Sequence, residues 1–106
     1  MSDKGHIPTE EVAKNAAKGL SLRKEFGHGG TLVGANMAKK LSEKKSISSI
    51  DIKRMVSYFA RHEVDKQAAD FNNKEKPSKG YIAWCLWGGD AGKKWAEKTE
   101  QTLKED

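Results

Sequence analysis

The chain has 106 residues, 36% of them hydrophobic and 33% charged, with three Trp, three Phe, two Tyr and a net charge of +5. That is enough for one core and short for two, and the aromatic content argues against wholesale disorder. No run approaches the 18 or more apolar residues a membrane span requires, Met1–Thr9 is too polar for a secretion signal, and Cys85 alone excludes an internal disulfide. A soluble, intracellular domain is expected, formed by residues 1–106 with 1–8 and 104–106 flexible.

Pro8 and Thr9 open the first element, TEEVAKNAAKGLSLRKEF, which has acids in its first turn, Arg23 and Lys24 in its last and Gly27 just beyond. These are helix start and stop signals. Val12, Ala13, Ala16, Ala17 and Leu20 form a narrow, alanine-rich stripe that implies close packing on another helix. After the loop Gly27–Gly30, Thr31 is placed to cap a second helix in which Val33, Met37 and Leu41 lie four apart, ending near Leu41–Lys44.

Ser48 with Asp51 resembles a capping box, and Ile52, Met55, Val56, Phe59 and Ala60 follow at helical spacing. The third helix is expected from Ser49 to about Asp70. Asn72–Lys79 reads as a polar surface loop, with Ser78 capping a fourth helix, Gly80–Trp87, that Gly88 and Gly89 stop. Asp90 is placed to cap a fifth helix through Leu103. Period-two alternation is absent over any useful length, so the fold class is all-α: about five short helices in one compact orthogonal bundle. All three tryptophans lie in Tyr81–Trp95, so the aromatic core centres there.

Two strings, IKRMVSYFARHEVDKQA (Ile52–Ala68) and PSKGYIAWCLWGGDAGKKWAEK (Pro77–Lys98), together with GLSLRKEFGHGG (Gly19–Gly30), resemble a small helical module encoded by bacteriophages and prophages. Tyr81 and Cys85 stand where that module more usually has Arg and Leu. The resemblance covers most of the chain after Gly19. It implies a viral origin, hence the host cytoplasm, and attachment of such modules to larger phage proteins; it carries no assigned activity.

The charge excess is central. Met1–Ala38 holds five basic and four acidic residues, Lys39–Lys79 eleven and six, and Gly80–Asp106 four and five. Within the middle segment Lys39, Lys40, Lys44, Lys45, Lys53 and Arg54 surround a helix–turn–helix-like corner and form the candidate nucleic-acid-binding set, with phosphate contacts dominating. A solvated basic face is the alternative.

Other motifs carry structural readings beside functional ones. WGGDAG could form a phosphate loop, but a cap at Asp90 would fill the donors and repel phosphate. Gly27 fits a helix C-terminus, leaving Gly29 and Gly30 of GHGG unexplained, with His28 available for an anion or ligand. Arg61, His62, Glu63, Asp65 and Lys66 fit an Arg61–Asp65 helix pair and a polar network, against a metal or acid-base site for which the ligand spacing is wrong. An indole beside Lys93 and Lys94 could stack on a base. The expectation is a non-enzymatic, phage-encoded domain without cofactor, metal or catalytic residues, whose partner is nucleic acid or, alternatively, a phage or host protein in virion assembly or host-factor binding.

Overall fold

The structure, a computed structural model, describes residues 6–67 and 77–105. They form α1 (Glu10–Phe26), α2 (Leu32–Ser42), α3 (Ser49–His62), a 3₁₀ turn (Glu63–Gln67), α4 (Lys79–Leu86) and α5 (Gly89–Glu105). No strand occurs among the described residues, and an isolated antiparallel bridge between His6 and Ile47 is the extended pairing they contain.

Five of the helix caps are formed by the residue types that satisfy free helix N–H groups or tolerate a left-handed terminus. Thr9 Oγ1 accepts from Val12 N, Thr31 Oγ1 from Gly34 N, Ser48 Oγ from Asp51 N and Ser78 Oγ from Tyr81 N, at 3.0–3.3 Å. Gly27 closes α1 at φ 68°, its N–H donating to Arg23 O.

α1 packs on α2, α4 and α5, and α3 on α5. The α1–α4 crossing is close because position 19 has no side chain: a Cβ there would lie 2.5 Å from Leu86 N and 2.9 Å from the Cys85 carbonyl carbon. The GHGG loop is packed on α4 in the same way. A Cβ on Gly29 would meet the Ile82 side chain at 2.5 Å, and one on Gly30 the Leu86 side chain at 2.6 Å, and both residues have positive φ. Packing on α4 therefore explains the two glycines that helix capping left over.

The core gathers Val12, Ala16, Leu41, Ile47, Ile52, Met55 and Leu86 around an aromatic cluster. Phe59, fully buried, meets Trp84 edge-on at 4.8 Å, and Tyr58 lies nearly parallel to Trp87 at 4.8 Å and 11°. Trp84 and Trp87 are core residues and Trp95 is half-buried on α5.

Several boundaries differ from expectation. The α-helical part of α3 stops at His62, because its apolar stripe ends at Phe59 and Val64 is 61% exposed, leaving the next turn no buried face to hold it. Residues 68–70 lie outside the described set, as do residues 72–76 of the expected loop. Asp90 sits inside α5 and not at its cap. Gly88 O receives the Gly92 N–H, while the Asp90 carboxylate accepts from Trp84 Nε1 and from Lys66 Nζ, both at 2.9 Å. Burial pushes this carboxyl up, but the Lys66 and Trp84 hydrogen bonds and the charges of Lys66 and Lys94 outweigh it and hold it below the usual carboxylate range. Before α1, His6 exchanges two 2.8 Å backbone bonds with Ile47, and Pro8 is buried. Ala17 is exposed, with Gly19 taking its place in the α1 stripe. Val33 is 56% exposed, since α2 turns Gly34, Ala35, Met37, Ala38 and Leu41 inward.

Candidate functional site

α3 has two working faces. Ile52, Met55 and Phe59 enter the core, while Ile50, Lys53, Arg54, Ser57, Tyr58, Arg61 and His62 recur at three- and four-residue steps along another face. That second face forms one wall of a cleft of about 830 Å³. The start of α2 (Gly30, Thr31, Val33) and one side of α4 (Lys79, Gly80, Ala83, with Trp87) complete it.

The floor is apolar and rigid. Tyr58 and Trp87, 6% and 7% exposed, form a parallel stack that His62 extends at 4.6 Å and 24°. Val33 and Ile50, 56% and 66% exposed, form an aliphatic lip.

The rim is cationic. Lys53, Arg54, Arg61 and Lys79 line the cleft, and no carboxylate does among the described residues. Arg54 Nη1 lies 3.6 Å from Asp51 Oδ1; no described carboxylate approaches Lys53, Arg61 or Lys79 within 4.0 Å. First-turn residues of α2 and α4 also border the cleft, and the partial positive charge of a helix N-terminus adds to the same potential. Like charges around a low-dielectric floor reinforce one another and attract an anion more strongly than the same charges spread over a convex surface.

The six cations singled out by sequence divide here. Lys53 and Arg54 line the cleft, while Lys39, Lys40, Lys44 and Lys45 do not. Lys40 Nζ binds Asp51 at 3.1 Å, Lys44 Nζ binds Glu10 at 3.2 Å and Lys45 Nζ binds Glu43 at 3.1 Å, so the α2–α3 turn is a mixed-charge surface. Lys39 is exposed on the last turn of α2. In the sequence Arg61 reads as the partner of Asp65, whose side chain lies outside the described set, and Lys79 as the end of a loop. The signal for Arg61 was available: it is seven and eight residues beyond Arg54 and Lys53, two helical turns along one face. Lys79 was accessible only through tertiary structure.

A second hollow of about 490 Å³ shares Gly30 and Lys79 with the cleft and is also bordered by Arg23, Gly27, His28 and Gly29. Arg23 Nε donates to Gly29 O at 3.1 Å, and His28 Nε2 is buried with no hydrogen-bond partner among the described residues. Among the described residues no three His, Cys, Asp or Glu side chains gather as a metal site would require. Cys85 is buried on α4, and burial pushes its thiol up, away from the reactive thiolate. No helix of the described residues is long and apolar enough to cross a membrane.

A scan of family models and searches of curated proteins and of solved structures give no match to this chain.

Proposed function

We propose that this is a non-enzymatic, phage-encoded nucleic-acid-binding domain that engages phosphates through the cleft between α3 and the starts of α2 and α4. The observation that carries the reading is the rim: Lys53, Arg54, Arg61 and Lys79 converge from two helices on one concavity with no carboxylate among its described lining residues. Phosphate binding requires such clustering, and each neutralised phosphate releases condensed counterions, so affinity falls with salt. Of the six cations read from the sequence, this interface keeps Lys53 and Arg54 and takes Arg61 and Lys79 in place of Lys39, Lys40, Lys44 and Lys45. The phage origin rests on the resemblance of Gly19–Gly30, Ile52–Ala68 and Pro77–Lys98 alone.

The test is a pair of triple variants in a low-salt shift assay with single- and double-stranded DNA and RNA. Lys53→Glu/Arg61→Glu/Lys79→Glu abolishes the shift, whereas Lys39→Glu/Lys44→Glu/Lys45→Glu weakens it only through net charge. Equal losses, or no shift by the native protein, would discard the cleft as the interface.

The adaptor reading, a virion-assembly or host-factor contact, has its own support in the lip of Val33 and Ile50, to which exposed Leu32 is adjacent. Scattered apolar residues are normal on surfaces, but two on the lip of one cleft, with a third next to them in sequence, can anchor a protein partner. Recovery of one protein from expressing cells after nuclease treatment, lost in Val33→Asp/Ile50→Asp, would favour it.

A further inference from the structure

We propose that the cleft accepts an unpaired nucleotide, its base against the apolar floor and its phosphate on the cationic rim, so that the protein prefers single-stranded nucleic acid to duplex. This deepens the nucleic-acid reading above and rests on it. About 830 Å³ lies within the range of roughly 300–1,000 Å³ in which small ligands are held, the scale of a nucleotide and not of a double helix.

The distribution of polarity makes the choice. A duplex presents phosphates outward and keeps its bases stacked inside; it would meet Lys53, Arg61 and Lys79 and leave Val33, Ile50, Ala83 and the edges of Tyr58 and Trp87 wet. An unpaired base covers that apolar surface while its own phosphate reaches the rim. Because Tyr58 is already fixed between neighbours at 4.6 and 4.8 Å, the receiving surface needs little ordering when the base arrives. The floor offers aliphatic side chains and ring edges and no base-specific hydrogen-bond pattern, so the contact tolerates any sequence.

The neighbouring hollow extends the argument from a nucleotide to a strand. It shares Lys79 and Gly30 with the cleft and adds Arg23, a third side of positive charge beside the ring of His28. The adjoining phosphate of a strand reaches this hollow, whereas a free mononucleotide occupies the cleft alone. The shared chemistry is an unpaired base bearing phosphate, and length dependence separates the two sources.

The experiment measures fluorescence-polarisation binding of the native protein to four probes at low salt: a thymidine dodecamer, the same dodecamer with every base removed, a duplex of equal length and thymidine 5′-monophosphate as competitor. An acidic amphipathic peptide serves as a fifth probe. The dodecamer binds about tenfold tighter than the abasic strand and the duplex, the magnitude of removing roughly 50–60 Å² of apolar surface from water, and the monophosphate competes only weakly. Ser57→Leu, an exposed α3 position in the cleft that carries no charge, lowers dodecamer affinity several-fold and leaves abasic affinity unchanged. Equal affinity for base-bearing and abasic strands overturns the base pocket while leaving phosphate binding intact. Competition by the monophosphate as strong as by the dodecamer overturns the strand path through the second hollow. Binding of the peptide with no oligonucleotide bound overturns both readings and assigns the cleft to a protein.

Discussion

Replacing Gly19 by Ala is the sharpest probe of how α4 is positioned against α1. A methyl at this position would sit 2.5 Å from Leu86 N and 2.9 Å from the Cys85 carbonyl carbon and Leu86 Cα, all of them backbone, so no rotamer change relieves it. Overpacking of this kind costs about 1–3 kcal/mol. Helix propensity works in the opposite direction, since Ala is favoured over Gly inside a helix by about 0.5–1 kcal/mol. The net is a loss centred near 1 kcal/mol and reaching about 2.5 kcal/mol, or roughly 4–8 °C in Tm per kcal/mol for a domain of this size. Urea unfolding followed by indole fluorescence, with Trp84 and Trp87 on the α4 side of the contact, measures it. Ala17→Gly, at an exposed position on the same helix, supplies the propensity term alone and should lose about 0.5–1 kcal/mol. A Gly19→Ala protein as stable as the native one, or more stable, would refute the close α1–α4 approach and with it the placement of Lys79 and Ala83 beside α3.

Three further outcomes follow from individual contacts. Asp90→Asn removes a carboxylate whose folded-state pKa is lowered by Lys66 and Trp84. Its contribution to stability is therefore present above the unfolded value of about 3.9 and lost as pH falls through the lower folded value. Urea titrations at pH 7 and pH 3 should show the native protein more stable at pH 7 and the difference diminished at pH 3; a constant difference would contradict the pairing. Ser48→Ala should cost about 1 kcal/mol through loss of the 3.2 Å bond to Asp51 N, and Ser21→Ala, an exposed position on α1, much less. Cys85 should react with a thiol reagent at the rate of global or local opening, accelerated by urea, since burial pushes its thiol up.

Local chemistry was the legible part of this chain. Thr9, Thr31, Ser48 and Ser78 announce four helix starts because a cap needs only a short side-chain oxygen and its near neighbours. Gly27 announces a stop for an equally local reason. The all-α class and the burial of Trp84 and Trp87 follow from periodicity and aromatic content. What escaped depends on partners distant in sequence. Asp90 looks like a cap until Lys66 and the Trp84 indole are seen to occupy it. Val33 looks like core until Gly34, whose missing Cβ would lie 3.1 Å from Trp87 Nε1, is seen to occupy the contact. The candidate interface divided along the same line. Charge density along the chain pointed to Lys39–Arg54, yet Glu10, 34 residues before Lys44, lies against that lysine, whereas Lys79 crosses from α4 to stand with Lys53 and Arg61. A one-dimensional charge count cannot separate those two fates.

The central claim is that positive potential converges over the cleft on the outward face of α3. Backbone and indole N–H shifts of the isotope-labelled native protein, recorded by NMR during addition of the thymidine dodecamer at low salt, test it most directly. Shifts concentrated at Lys53, Arg54, Ser57, Arg61, Lys79, Gly80 and the Trp87 indole, with Lys39, Lys44 and Lys45 unmoved, are the predicted result. Shifts centred on Lys39–Lys45, spread evenly over the surface, or absent altogether would contradict the account.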